Sequence, residues 1–198
     1  MTFEGDNRSK LEEHAVAASE LIERGEYHRA IELLTIVLQE APNDTRALWQ
    51  LAMVYSNLDR NHAALAVLQE LGRHVGANSK LLTAIGCIEI RLGRYREAKA
   101  NLLRALPDDR DDPLILRNLG HAYQGLGELC SAEQALLAAH EMDPHDNRTV
   151  HALAQFYMRK RDTRMALHWV RLLLARAESG PLVRDAEEWM LRIQSGWA

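Results

Sequence analysis

Apolar residues in this chain fall three and four positions apart in short runs, and each run is followed by a break. Ile31, Leu34 and Leu38 make one stripe that stops at Pro42, and Leu48, Leu51, Ala52 and Tyr55 make the next. Leu116, Leu119, Gly120 and Tyr123 form another. A turn then leads to Ala132, Leu136 and Ala139, closed by Pro144. This spacing predicts amphipathic helices, each burying one face. The runs themselves recur at a fixed interval of 34 residues. Stepping by 34 from Ala132 reaches Ala30, Ala64, Ala98 and Ala166, and stepping from Gly120 reaches Ala18, Ala52, Gly86 and Ala154. The same step from Leu136 gives Leu34, Leu68, Leu102 and Val170. A constant interval of this length predicts a stack of repeated helix pairs.

Packing accounts for these preferences. Where two antiparallel helices cross closely, a side chain larger than Ala or Gly would push the axes beyond the usual separation of about 8–10 Å. The small stations are therefore crossing points, and the large apolar stations three and four residues away fill the space beside them.

The order Leu119-Gly120, Tyr123, Ala132, Leu136 and Pro144 resembles the tetratricopeptide repeat, whose pattern runs L-G-x2-Y, then A-x3-F, then P. The resemblance implies an all-α fold, a right-handed superhelical solenoid of antiparallel helix pairs. It covers five repeats without insertion, 11–44, 45–78, 79–112, 113–146 and 147–180, preceded by a flexible segment at 1–8. Departures are local: Leu21 and Glu89 stand where Tyr55, Tyr123 and Tyr157 stand elsewhere, Asp59 and Asn61 replace the turn's Gly and Tyr, and Gly76 replaces a terminal proline. Because a solenoid grows by addition, one elongated domain is expected.

Capping signals refine the boundaries. Ser9 and Glu12 form an S-x-x-E box that predicts the start of the first helix. Asn43 or Asp44 caps the helix carrying Leu48, and Asp112 precedes Pro113 as N-cap before a first-turn proline. The clustered aspartates of LPDDRDDP lack the order of a calcium loop, so capping is the expected role there. From 181 to 198 the repeat breaks. Leu182, Val183, Ala186, Trp189, Met190 and Ile193 share one face of a helix that would cap the exposed end of the stack.

Composition adds exclusions. The chain has 198 residues, 47% hydrophobic and 26% charged, enough apolar content for a continuous core. Two cysteines, Cys87 and Cys130, offer neither a disulfide framework nor a zinc spacing, and both are expected to be buried free thiols. MTFEGDNRSK carries no apolar run behind its charges, and no later segment approaches the ~18 apolar residues of a membrane span. Neither secretion nor membrane insertion is expected, and the expected location is cytoplasmic. The net charge of −4 conceals a gradient, with four basic against ten acidic residues over 1–44 and seven against two over 147–180. The alternation of sign along the chain argues against nucleic acid, which wants a continuous basic stripe.

Catalytic chemistry is not expected. The nine histidines form no H-E-x-x-H or similar ligand pair, and His121 with His151 is the one pair that adjacent helices could bring together. Gly125 to Gly127 follows no strand and so fails the context of a dinucleotide loop. Neither a nucleophile elbow nor a phosphate loop occurs. We read no enzyme, no metal site and no cofactor.

In tetratricopeptide proteins the first helices line a concave surface, and contacts come from positions two, five, six, nine, twelve and thirteen of each repeat. Carried over, these are Ala15, Val16, Ser19, Ile22, Trp49, Met53, Ser56, Thr83, Cys87 and Ile90 in a mostly apolar half. The other half is polar and basic: Arg117, Asn118, His121, Gln124, Arg148, His151, Gln155, Met158 and Arg159. The clamp that binds acidic heat-shock chaperone tails is not reproduced, since Ala152 stands where its asparagine belongs. The resemblance thus implies a protein-binding adaptor or chaperone holding an extended or helical partner segment with apolar and acidic side chains, as bacterial secretion chaperones similar to this family do. Trp49→Ala and Arg117→Glu are expected to abolish capture without loss of stability. The unlike charges of the two ends also allow a self-assembling scaffold, a homo-oligomer built by head-to-tail contacts.

Overall fold

The computed structural model describes residues 3–106, 112–176 and 179–196, with side chains from Lys10 onward. Among the described residues there are eleven α-helices and no strand. They fall into two compact units, Met1–Arg94 and Tyr95–Ala198, where the repeat alone predicts one continuous domain. The reason is the local character of repeat packing: each helix meets chiefly its neighbours in the chain, so compactness extends over only two or three pairs.

The first unit holds α1 (Phe3–Glu23), α2 (Tyr27–Glu40), α3 (Thr45–Asn57), α4 (Asn61–Val75) and α5 (Ser79–Arg91). The second holds α6 (Tyr95–Ala105), α7 (Pro113–Gly125), α8 (Leu129–Met142), α9 (Asn147–Lys160), α10 (Thr163–Arg176) and α11 (Pro181–Gln194). Helix α1 begins at Phe3, so Ser9 lies inside it and cannot act as its N-cap. Asp108, Asp109 and Asp111 of the aspartate cluster lie outside the described residues, whereas the Asp112 carboxylate accepts from Leu114 N–H at 2.8 Å with Pro113 at the first helical position.

The 34-residue period is visible in burial. Ala30, Ala64, Ala98, Ala132 and Ala166 are all fully buried, as are Leu34, Leu68, Leu102, Leu136 and Val170. The small stations are close crossings: a Cβ added at Gly120 would lie 2.5 Å from Leu136 Cγ. Burying each leucine contributes about 1.5–3 kcal/mol.

The period also reaches the backbone. At the turn inside each pair, one residue enters the left-handed region: Gly25, Asp59, Gly93, Gly127 and Arg161, each 34 after the last. The next amide returns to the carbonyl five residues back, as in Glu26 N–H to Leu21 O at 2.8 Å and Glu128 N–H to Tyr123 O at 2.9 Å, the helix-ending motif that a left-handed residue permits. Asp59 keeps the turn that Gly makes elsewhere, and its carboxylate accepts from the Asn61 amide at 2.6 Å. Between pairs the N-caps keep the same step. Asp44, Asn78, Asp112 and Asp146 each accept from a first-turn amide.

In the second unit α7 touches α9, and α9 touches α11, whereas α8 and α10 make no comparable contact. First helices crowd together while second helices splay, so the first-helix side is the inner, concave side of the unit. Helix α11 keeps register where the sequence suggests a break: Gly180 occupies the N-cap station after Asp146, and Pro181 stands 68 residues after Pro113. Val183 and Ala186 are buried, and Leu182, Trp189, Met190 and Ile193 pack against the core of α9 and α10. The apparent break arises at Glu187 and Glu188, which occupy the stations of the buried Leu153 and Ala154. Those stations face the second helix of a pair, and α11 is followed by none among the described residues.

Candidate partner-binding surface

In the first unit the inner positions are tied together by hydrogen bonds between first helices. Ser19 of α1 accepts from the Gln50 amide of α3 at 2.7 Å, and Arg91 of α5 donates to Ser56 O and Oγ at 3.0 Å each. Trp49 and Met53 pack against the core formed by α3, α4 and α5 and keep part of their surface in water. The Lys80 ammonium lies 4.6 Å from the Trp49 ring centroid. Trp49 therefore supports the neighbouring helix, and Trp49→Ala would cost stability, contrary to the expectation from sequence. Thr83 is buried and donates to Ser79 O at 2.8 Å, which withdraws it from any partner. Cys87 is half-buried, whereas Cys130 is exposed rather than buried because it lies opposite the Ala132, Leu136, Ala139 stripe of α8.

In the second unit Arg117 of α7 is almost wholly covered and pairs with Asp146, the N-cap of α9. Burial alone would raise the Asp146 pKa. The Thr149 hydroxyl at 2.6 Å, the Arg117 guanidinium and the Arg148 amide outweigh it and hold the carboxyl below its usual range. Arg117 is thus committed to the fold, and Arg117→Glu would set two carboxylates together and destabilise the unit, which corrects the neutral effect expected above.

Burial and the neighbouring Arg117, His151 and Arg159 side chains depress the His121 pKa to about 4, so its imidazole is neutral at pH 7. His151 is fixed differently. Its Nε2 lies 2.8 Å from Asp185 Oδ2, and its ring lies 4.8 Å from that of Trp189, both on α11. The two histidines come near enough for His151 to act on His121, as the sequence allows, and no cluster of three metal-binding side chains occurs among the described residues.

The donors of this face are of two kinds, buried and exposed. Asn118 Nδ2 and Gln124 Nε2 are buried and meet no acceptor among the described residues. Arg148 and Arg159 are exposed. Gln155, Met158, Arg159 and Arg161 join Trp189 and Arg192 of α11 around a cleft of about 380 Å³. A larger cavity of about 480 Å³ in the first unit lies among Leu11, Ala15, Val16, Val37 and Ala41, with Glu12, Asp44 and Arg46 at its polar side. The sequence positions alone pointed to Arg148, Gln155, Met158 and Arg159. Arg161, Trp189 and Arg192 were missed because one lies in a turn and two lie beyond the fifth repeat.

Two family models, each described as Tetratricopeptide repeat, match residues 21–85 and 79–106. A thermophilic TPR protein from Thermus thermophilus superposes with a TM-score of 0.77 at 21% identity, covering 91% of this chain and 99% of its own. Residues 21–106 are tetratricopeptide repeats. Residues 41 to the end of MamA from Desulfovibrio magneticus RS-1 give a TM-score of 0.74 at 20% identity, covering 86% of this TPR chain and 98% of theirs. YrrB, a TPR protein with an unusual peptide-binding site, gives 0.64 at 19%, covering 88% and 90%. At these identities the likeness is one of fold. No curated protein matches the sequence. No helix among the described residues is long and apolar enough to cross a membrane.

Proposed function

We propose that this TPR protein acts as an adaptor or chaperone, without catalysis, by holding a segment of another protein against the inner face of α7, α9 and α11. The TPR fold supports a role in protein–protein interaction, and YrrB shows the same fold carrying a peptide-binding site. The observation that carries the reading is the exposed positive charge on that face: Arg148 and Arg159 are exposed, and Arg159 lines a cleft with Arg161 and Arg192 that has no carboxylate among its described lining residues. A partner's carboxylates would meet these guanidinium groups in charge-assisted hydrogen bonds.

The test is site-specific cross-linking. A photoreactive residue at position 148 should trap a partner in cells, and the same residue at the exposed Glu141 of α8 should not. Equal trapping at both positions would remove the inner face from the reading.

A further inference from the structure

Of the five turn residues in the left-handed region, three are glycine, for which that conformation carries no penalty. Asp59 has a local reason to be there, its bond to Asn61. Arg161, at φ 56° and ψ 29°, has none: its guanidinium makes no hydrogen bond or ion pair with any described residue. A side chain kept at a glycine station against backbone preference, and left without a partner, points to a role outside the fold.

Arg161 lines the cleft of about 380 Å³ between α9 and α11, together with Gln155, Met158, Arg159, Trp189 and Arg192. No carboxylate-bearing residue is among its described lining, so three arginines border one small space. Trp189 packs against the His151 ring, which Asp185 fixes in turn. The cleft therefore offers fixed positive charge, one oriented aromatic face and a thioether.

We propose that this cleft is a binding site for an acidic segment of a partner protein, in which carboxylates meet Arg159, Arg161 and Arg192 while one apolar or aromatic side chain lies on Trp189 against Met158. It rests on the reading that the inner face binds protein and gives that reading its specificity. Guanidinium pairs carboxylate in a two-pronged geometry, and Trp and Arg supply most of the affinity where they anchor an interface. Nucleic acid fits less well, because a backbone charged at every nucleotide wants a continuous basic track, and the exposed Glu187 and Glu188 on α11 interrupt it beyond the cleft.

The full chain should be titrated by fluorescence anisotropy with a labelled peptide of glutamates around a single phenylalanine, both ends blocked. A version with a free C-terminal carboxylate separates side-chain from terminal recognition, and tighter binding of either supports the site. A lysine-for-glutamate version should not bind. Arg161→Gly is the informative variant, since glycine suits the turn: its melting temperature should hold or rise while affinity falls about tenfold, the loss of one charge-assisted contact. Wild-type affinity in both Arg161→Gly and Arg159→Glu would overturn the proposal, as would equal binding of an RNA oligonucleotide or no binding of the acidic peptides. Loss confined to Arg148→Glu would overturn the cleft while leaving the inner face as the binding surface. Cross-linking at position 148 reports on the inner face independently of either result.

Discussion

His121 offers a measurement of how closely the inner face of α7 and α9 is packed. In the unfolded chain its imidazole takes up a proton near pH 6.5, and in the folded chain not until about pH 4. As pH falls through this window the unfolded state binds a proton that the folded state refuses, so stability is present above pH 6.5 and is lost as pH drops toward 4. Below that, both states are protonated and His121 contributes no further change. The displacement corresponds to about 3 kcal/mol when fully developed and about 2 kcal/mol at pH 5. His140, whose pKa is lowered by burial and by Arg176, acts in the same direction, so the comparison needs a variant. His121→Gln keeps a polar side chain and removes the titration. Urea unfolding should show wild type losing about 2 kcal/mol more than His121→Gln between about pH 7 and pH 5. Asp146 does not confuse the result, because its carboxyl titrates below its usual 3.8 and adds acid sensitivity only under that window. Parallel pH profiles for the two proteins, or a His121 resonance titrating near 6.5, would refute the reasoning.

Asp146→Ala removes both the cap of α9 and the counter-ion of Arg117, and should lower unfolding free energy by about 3 kcal/mol in urea titration, more than the ~1 kcal/mol of a cap alone. Gly125→Ala would drive a methyl into the Tyr95 ring, costing about 1–3 kcal/mol, and Tyr95→Ala in the same chain should recover part of that loss, a coupling that a double-mutant cycle reads directly. Deleting residues 181–198 uncovers the apolar groups of α9 and α10 that Val183, Ala186 and Trp189 cover, and should produce dye binding and self-association in light scattering.

The helix pairs were legible in sequence because their determinants are local and repeated: a small residue where helices cross, a leucine beside it and a left-handed turn each recur every 34 positions. The turn at Asp59 shows that the repeat holds even where its usual residues are replaced, since backbone geometry and the Asn61 bond supply what glycine otherwise gives. The proposed binding face was less legible. Sequence position says that Arg117 points inward, but not that an N-cap carboxylate one repeat later neutralises it. Thr83 likewise satisfies its hydroxyl on its own helix, a choice of rotamer that no periodicity encodes. Arg161 escaped notice because contact positions are counted on helices, and its meaning emerges only when its φ is set beside those of the glycines at the same station.

The ends of the repeat series bear on whether copies of the chain stack on one another. In α1, Glu13 and Glu20 are exposed at stations where later first helices place the buried Ala47, Leu81 and Ile115, and Val54, Ile88 and Phe156. In α11, Glu187 and Glu188 are exposed at the stations of Leu153 and Ala154, and of these outward stations only Leu191 stays apolar, at 66% exposure. Continuing the repeat from one copy into the next would bury carboxylates from both surfaces without partners, at several kcal/mol apiece. Against this stands the charge contrast between residues 1–44, net −6, and 147–180, net +5, the observation behind head-to-tail assembly. That attraction acts through solvent and is screened beyond about 8 Å at physiological salt, too weak to offset the burial. Light scattering across rising salt should therefore find one unchanged size. Growth at low salt that Glu13→Ala and Glu20→Ala together strengthen would show that the carboxylates restrain a real stacking interface, and growth that they abolish would show that the acidic helix is itself the contact.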